Sequence, residues 1–145
     1  MKIAIVYASS HHGNTKKVID AMCDVEDIDL FKVSQAKSAD FSDYDAIGFA
    51  SGVYFAKFNK SIERLAHEID LAGKKVFTIY TCGFNCINYA RSIQKTINAQ
   101  DCEFVGGFSC RGYDTFGFFG KIGGIAKNHP NEKDFSKAQK FIKNI

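Results

Sequence analysis

The opening residues constrain this chain more than any other stretch. Ile3 to Ala8 is an almost unbroken apolar run rich in β-branched residues, the pattern of a strand buried on both faces of a parallel sheet. The polar loop Ser9-Ser10-His11-His12-Gly13-Asn14-Thr15 follows directly, and helical spacing begins at once, with Thr15, Val18, Ile19, Met22 and Cys23 on one face. A strand feeding a tight polar loop and then a helix aims backbone N–H groups at one point, with the positive end of the helix dipole behind them. Such a loop is an anion site, and phosphate is its usual occupant. The plainer alternative is a turn that only caps its helix.

Two nucleotide loops share this logic and both fail on the residues. A P-loop needs Gly-x-x-x-x-Gly-Lys-Ser/Thr, whereas Gly13 is followed by Asn14 with no lysine. A dinucleotide loop needs Gly-x-Gly-x-x-Gly, and Gly13 is the one glycine present.

The rest of the chain repeats the strand–loop–helix pattern. Ile28 to Val33 reads as a second strand, and the polar stretch 34–43 has room for one helical turn. Tyr44 to Ser51 reads as a third buried strand. From Phe58 the period turns helical, with Phe58, Ile62, Leu65, Ala66 and Ile69 on one face, before a fourth strand over Lys75 to Thr81. Cys86, Ala90, Ile93 and Ile97 line one side of the next helix. Glu103 to Ser109 gives a fifth strand, in which Gly106-Gly107 marks a bulge or a close backbone contact. Cys110 to His129 is a long irregular segment rich in glycine and aromatics. Pro130 opens the last helix, whose stripe is Phe135, Ala138, Ile142 and Ile145.

Five strands alternating with helices predict an open parallel sheet covered on both faces, in the order 2-1-3-4-5, as one domain over residues 1–145. The switch point of that order falls between strands one and three. Ligands are therefore expected where the loops beginning at Ser9, Gly52 and Cys82 meet.

Ser10-His11-His12-Gly13-Asn14-Thr15 resembles the flavodoxin phosphate loop, Ser/Thr-x-Thr-Gly-x-Thr, with His12 at a threonine position. The resemblance runs along essentially the whole chain. It implies a flavodoxin-like fold and FMN as cofactor, the phosphate held by Ser9, Ser10, His11, His12, Gly13, Asn14 and Thr15. A flavin also needs an apolar slot and backbone donors near the ring edge. Ser51-Gly52-Val53-Tyr54-Phe55 and Cys82-Gly83-Phe84-Asn85 are suited to this, with Tyr54 or Phe55 against one ring face and Phe84 flanking the other. No catalytic side chain and no metal ligand set is expected, since adjacent His11-His12 does not supply zinc spacing.

The leading expectation is an FMN-dependent carrier of single electrons between redox partner proteins. The alternative is an FMN-dependent oxidoreductase acting on a quinone, a porphyrinogen-like compound or another small organic acceptor. A signalling receiver domain shares the strand order but needs acidic residues after strand one and an aspartate ending strand three, where this chain has Tyr7-Ala8-Ser9 and Ala50-Ser51. The net charge of +3 is too small to argue for nucleic acid, though it departs from the acidic balance of typical flavodoxins. No apolar run approaches the roughly 18 residues of a membrane span. Five cysteines scattered along an α/β pattern fit reduced thiols. A cytoplasmic protein, monomeric or weakly dimeric, is expected.

Overall fold

The structure, a computed structural model, describes residues 1–10, 12–115 and 118–145. His11, one of the expected phosphate-loop residues, lies outside them. Five parallel strands, β1 (Ile3–Ala8), β2 (Ile28–Lys32), β3 (Ala46–Gly52), β4 (Lys75–Cys82) and β5 (Glu103–Arg111), form one sheet in the order β2-β1-β3-β4-β5. This is the order expected from the sequence.

Burial follows position in the sheet. All seven residues of central β3 are buried, whereas edge strand β2 has none fully buried. Because side chains alternate across a strand, Ile3, Ile5 and Tyr7 face α1 (Asn14–Cys23) and α6 (Glu132–Lys143), packing with Val18, Ile19, Met22 and Ile142. Ala4 and Val6 point the other way, into a second core with Ile62 and Leu65 of α3 (Lys60–Glu68) and Ile93 and Ile97 of α4 (Arg91–Asn98). Gly48 of β3 is required by close approach. A Cβ there would stand 2.4 Å from the Phe77 ring.

Several boundaries shift from expectation for identifiable reasons. Val33 leaves β2 to open the single-turn α2 (Val33–Ala36), and α3 begins at Lys60, because the Asn59 side chain accepts from Ser61 N and Ile62 N and so caps it. The helix expected to include Cys86 starts only at Arg91. Asn88 holds the chain in a turn, its Oδ1 accepting from Ala90 N at 3.0 Å and its Nδ2 donating to Gln94 at 2.8 Å, so Cys86 stays exposed in the loop. The bulge at the glycines is present: Phe104 pairs with Val76 and Gly106 with Phe77, leaving Val105 over.

The described residues of segment 110–129 carry more regular structure than an irregular loop. Strand β5 runs on to Arg111, Asp114 and Ile125 exchange backbone bonds of 3.0 and 2.8 Å, and α5 (Phe118–Lys121) makes one turn between them. Pro130 precedes the cap rather than opening the helix. Asn131 and Asp134 form the capping box of α6.

Candidate functional site

Loops from three adjacent strand ends converge at the switch point. The first leaves β1 at Ala8 and enters α1 through two left-handed residues, His12 (φ 76°) and Gly13 (φ 64°). Gly13 is the N-cap and offers no side-chain cap, and the first turn of α1 contains no acidic residue. The first two helical amides, Asn14 N and Thr15 N, have no acceptor among the described residues, while Lys16 N is taken by Ser9 Oγ at 3.2 Å. A helix end without carboxylate and with uncommitted donors suits an anion.

The side chains of this loop are tied to the rest of the molecule. Thr15 and Thr81 share a buried hydroxyl–hydroxyl bond of 2.8 Å. Asn14 Nδ2 donates to Tyr113 O at 2.8 Å, which leaves its Oδ1 buried without a partner. His12, at the threonine position of the loop pattern, supplies no hydroxyl. Its Nε2 lies 2.9 Å from Thr115 Oγ1 and its ring 4.4 Å from that of Tyr113.

Near the end of β3, Ser51 is buried, its hydroxyl donating to Gly52 O at 2.6 Å and accepting from Asn59 N at 3.1 Å. Val53 N continues the ladder onto Thr81 O. Tyr54 and Lys57 then exchange backbone bonds around a two-residue turn in which Phe55 (φ 51°) and Ala56 (φ 57°) are both left-handed. Turns of this type normally use Asn or Gly, so a Phe-Ala pair there stores strain. Tyr54 folds back across Gly52, and its hydroxyl donates to Ser10 O at 3.0 Å and shares a bond with Ser10 Oγ at 3.1 Å. Phe55 stands 79% exposed at the tip.

The end of β4 contributes Cys82, and the loop after it Gly83, Phe84 and Asn85. Arg111 Nε donates to Gly83 O at 2.9 Å, and its guanidinium lies 5.9 Å from the Phe84 ring. Asn85 accepts from Ser109 Oγ at 3.3 Å. Phe84 is 54% exposed and packs on Phe119 at 5.8 Å. Cys82 is buried, and burial pushes its thiol up to about 12, as it does that of Cys110, so neither is nucleophilic at neutral pH.

Between the loops lies a cavity of about 20 Å³, room for one water, bordered by Asn14, Thr15, Gly52, Tyr54 and Gly83. Thr81, Gly112, Tyr113 and Asp114 also border it and were absent from the sequence expectation. Gly112 is needed there, since a Cβ would stand 2.6 Å from Asn14 Nδ2. Among the described residues no helix is long and apolar enough to cross a membrane, and no cluster of three or more His, Cys, Asp or Glu could hold a metal. All five cysteines are free thiols.

The flavodoxin domain model matches residues 4–108, and the chain belongs to the flavodoxin family. An uncharacterized protein of Methanocaldococcus jannaschii is 37% identical over 147 residues, spanning 100% of this chain and 98% of that protein. Among solved structures, oxidised flavodoxin 2 of Bacillus cereus aligns with a TM-score of 0.70 at 22% identity, covering 98% of this chain and 95% of that one. Rubredoxin oxygen:oxidoreductase of Desulfovibrio gigas aligns with a TM-score of 0.71 at 12% identity over 99% of this chain, which corresponds to 35% of that protein. These likenesses are of fold.

Proposed function

We propose that the protein, as one flavodoxin-like domain over residues 1–145, binds FMN non-covalently and carries single electrons between redox partner proteins. The observation that carries this is the start of α1: an uncapped helix end with no carboxylate in its first turn, at the same sheet edge as the exposed Phe55 and Phe84. The residues fit the group. Asn14 N and Thr15 N supply donors to a phosphate, the buried Asn14 Oδ1 lacks a donor that a sugar hydroxyl would provide, and Phe55 and Phe84 offer apolar surface to a flat ring. When bound, FMN supplies one-electron chemistry. This chain's part is to grip the phosphate and set the electrostatic surroundings. Tyr54 must move off Ser10 to widen the cavity between the loops, because one water volume admits no ring.

A mononucleotide is favoured over a larger flavin because the sequence holds one phosphate loop and no second nucleotide signature. A cytoplasmic location and a monomeric or weakly dimeric state complete the proposal, the first supported by five free thiols. The net charge of +3 should penalise the fully reduced, anionic flavin less than an acidic relative does, giving a less negative second potential by spectroelectrochemistry.

The second reading, an FMN oxidoreductase on a small organic acceptor, is favoured by one contact: the Phe119 ring lies 5.8 Å from that of Phe84 and adds aromatic surface next to it. The deciding experiment is an absorbance spectrum of purified protein followed by titration with FMN and with riboflavin. Quenching of FMN at micromolar concentration, with riboflavin at least roughly tenfold weaker, is expected from a site dominated by phosphate. A colourless protein that takes neither overturns the proposal. Rapid turnover of a quinone by the loaded protein would move the conclusion to the enzyme.

A further inference from the structure

Beside the ring loops, away from the phosphate loop, the starts of α3 and α4 enclose a groove of about 460 Å³. Lys57, Lys60, Arg91 and Lys95 line it against one carboxylate, Glu63. All four cations are exposed, and none is ion-paired with a described residue. Both helices begin here. The first turn of α4 contains no acidic residue, and Ala90 supplies no side-chain cap, so the helix dipole adds to the positive field. Ile87, which borders the groove, is 58% exposed.

An apolar centre with a charged rim is the anatomy of a protein interface. Exposed lysines and arginines each hold a small anion weakly because solvent screens them. Summed over a face, the same charges steer a large oppositely charged partner from a distance and set its orientation. The feature therefore suits a macromolecule better than a small ligand.

We propose that this groove docks the acidic face of a protein redox partner, with Ile87 as its exposed apolar contact and Lys60, Arg91 and Lys95 on the rim. The redox role of that partner rests on the function proposed above; the docking itself does not. The test is amide NMR of the full chain titrated with two small acidic iron–sulfur proteins, a rubredoxin and a ferredoxin, with and without FMN. Shifts are expected over residues 56–63 and 87–95 with at least one of the two probes. They should weaken roughly tenfold in apparent affinity between about 20 and 200 mM salt, and vanish in the triple variant Lys60→Glu, Arg91→Glu, Lys95→Glu.

That variant should keep its melting temperature and its FMN titration. Two of its new carboxylates fall in the first turns of α3 and α4, where they are favourable and offset the third in the last turn of α4, and none lies in the phosphate loop. Shifts that persist in the variant, or that neither probe elicits, overturn the docking. So does an equal response to anthraquinone disulfonate, which would make the groove a small-anion site. Docking without FMN binding would retain this inference and remove the proposed function. FMN binding without docking would do the reverse.

Discussion

The two sides of the site are built on opposite plans. The proposed phosphate loop is anchored by Thr15 on Thr81, Asn14 on Tyr113 and His12 on Thr115, partners 66, 99 and 103 residues away. The ring loops expose Phe55, Phe84 and Ile87, and hold Phe55 and Ala56 in left-handed strain. A charge needs donors fixed in advance, since each misaligned dipole loses most of its value. A flat apolar ring needs area and is indifferent to small shifts, so its loops can remain open and strained. In this chain rigidity thus lies in the loop after β1 and plasticity in the loops after β3 and β4.

That contrast is open to four attacks, the first aimed at the frame beneath the rigid side. Unfolded cysteine ionises near 9.0 but Cys82 and Cys110 near 12, so the folded state holds more protons between those values. Stability is therefore full below about pH 9 and lost as pH rises toward 12, by several kcal/mol in urea melts. At pH 8, by contrast, iodoacetamide should label exposed Cys86 and spare both buried thiols by mass spectrometry.

Gly112→Val attacks the anchoring of Asn14 directly. Its Cβ lands 2.6 Å from Asn14 Nδ2, and a loss of about 2 kcal/mol in urea unfolding is expected, with a marked drop in FMN affinity. Unchanged affinity would show that the anchoring does not serve the ligand.

Thr15→Val leaves the Thr81 hydroxyl buried and unpaired, costing about 1–2 kcal/mol. Adding Thr81→Val should return most of that stability, because both partners are then apolar. FMN affinity should stay low in the double variant if the Thr15 hydroxyl faces the phosphate. Recovery of affinity along with stability would assign Thr15 to the frame alone.

The smallest effect belongs to the plastic side. Ala56→Gly relieves a left-handed alanine at φ 57° and should stabilise by about 1 kcal/mol without raising FMN affinity. A parallel rise in affinity, followed by fluorescence titration, would show that the turn opposes the ligand.

What the residues alone determined was local: the five strands, the helix stripes and the polar turn after β1 all follow from period and composition, and the strand order from their alternation, while Gly106-Gly107 left a bulge and a close backbone contact both open. Even there Asn88 displaced the start of α4 past Cys86, because one side-chain turn outweighed a fitting stripe. Tertiary structure alone decided that Gly112 and Tyr113 close over Asn14, that Tyr54 reaches Ser10, and that four cations from a hairpin and two helices share one groove. Those meetings join residues tens of positions apart through single hydrogen bonds and shape, and neither leaves a repeat in the sequence. Periodicity records which face of an element is buried. Only the folded chain records what lies against it.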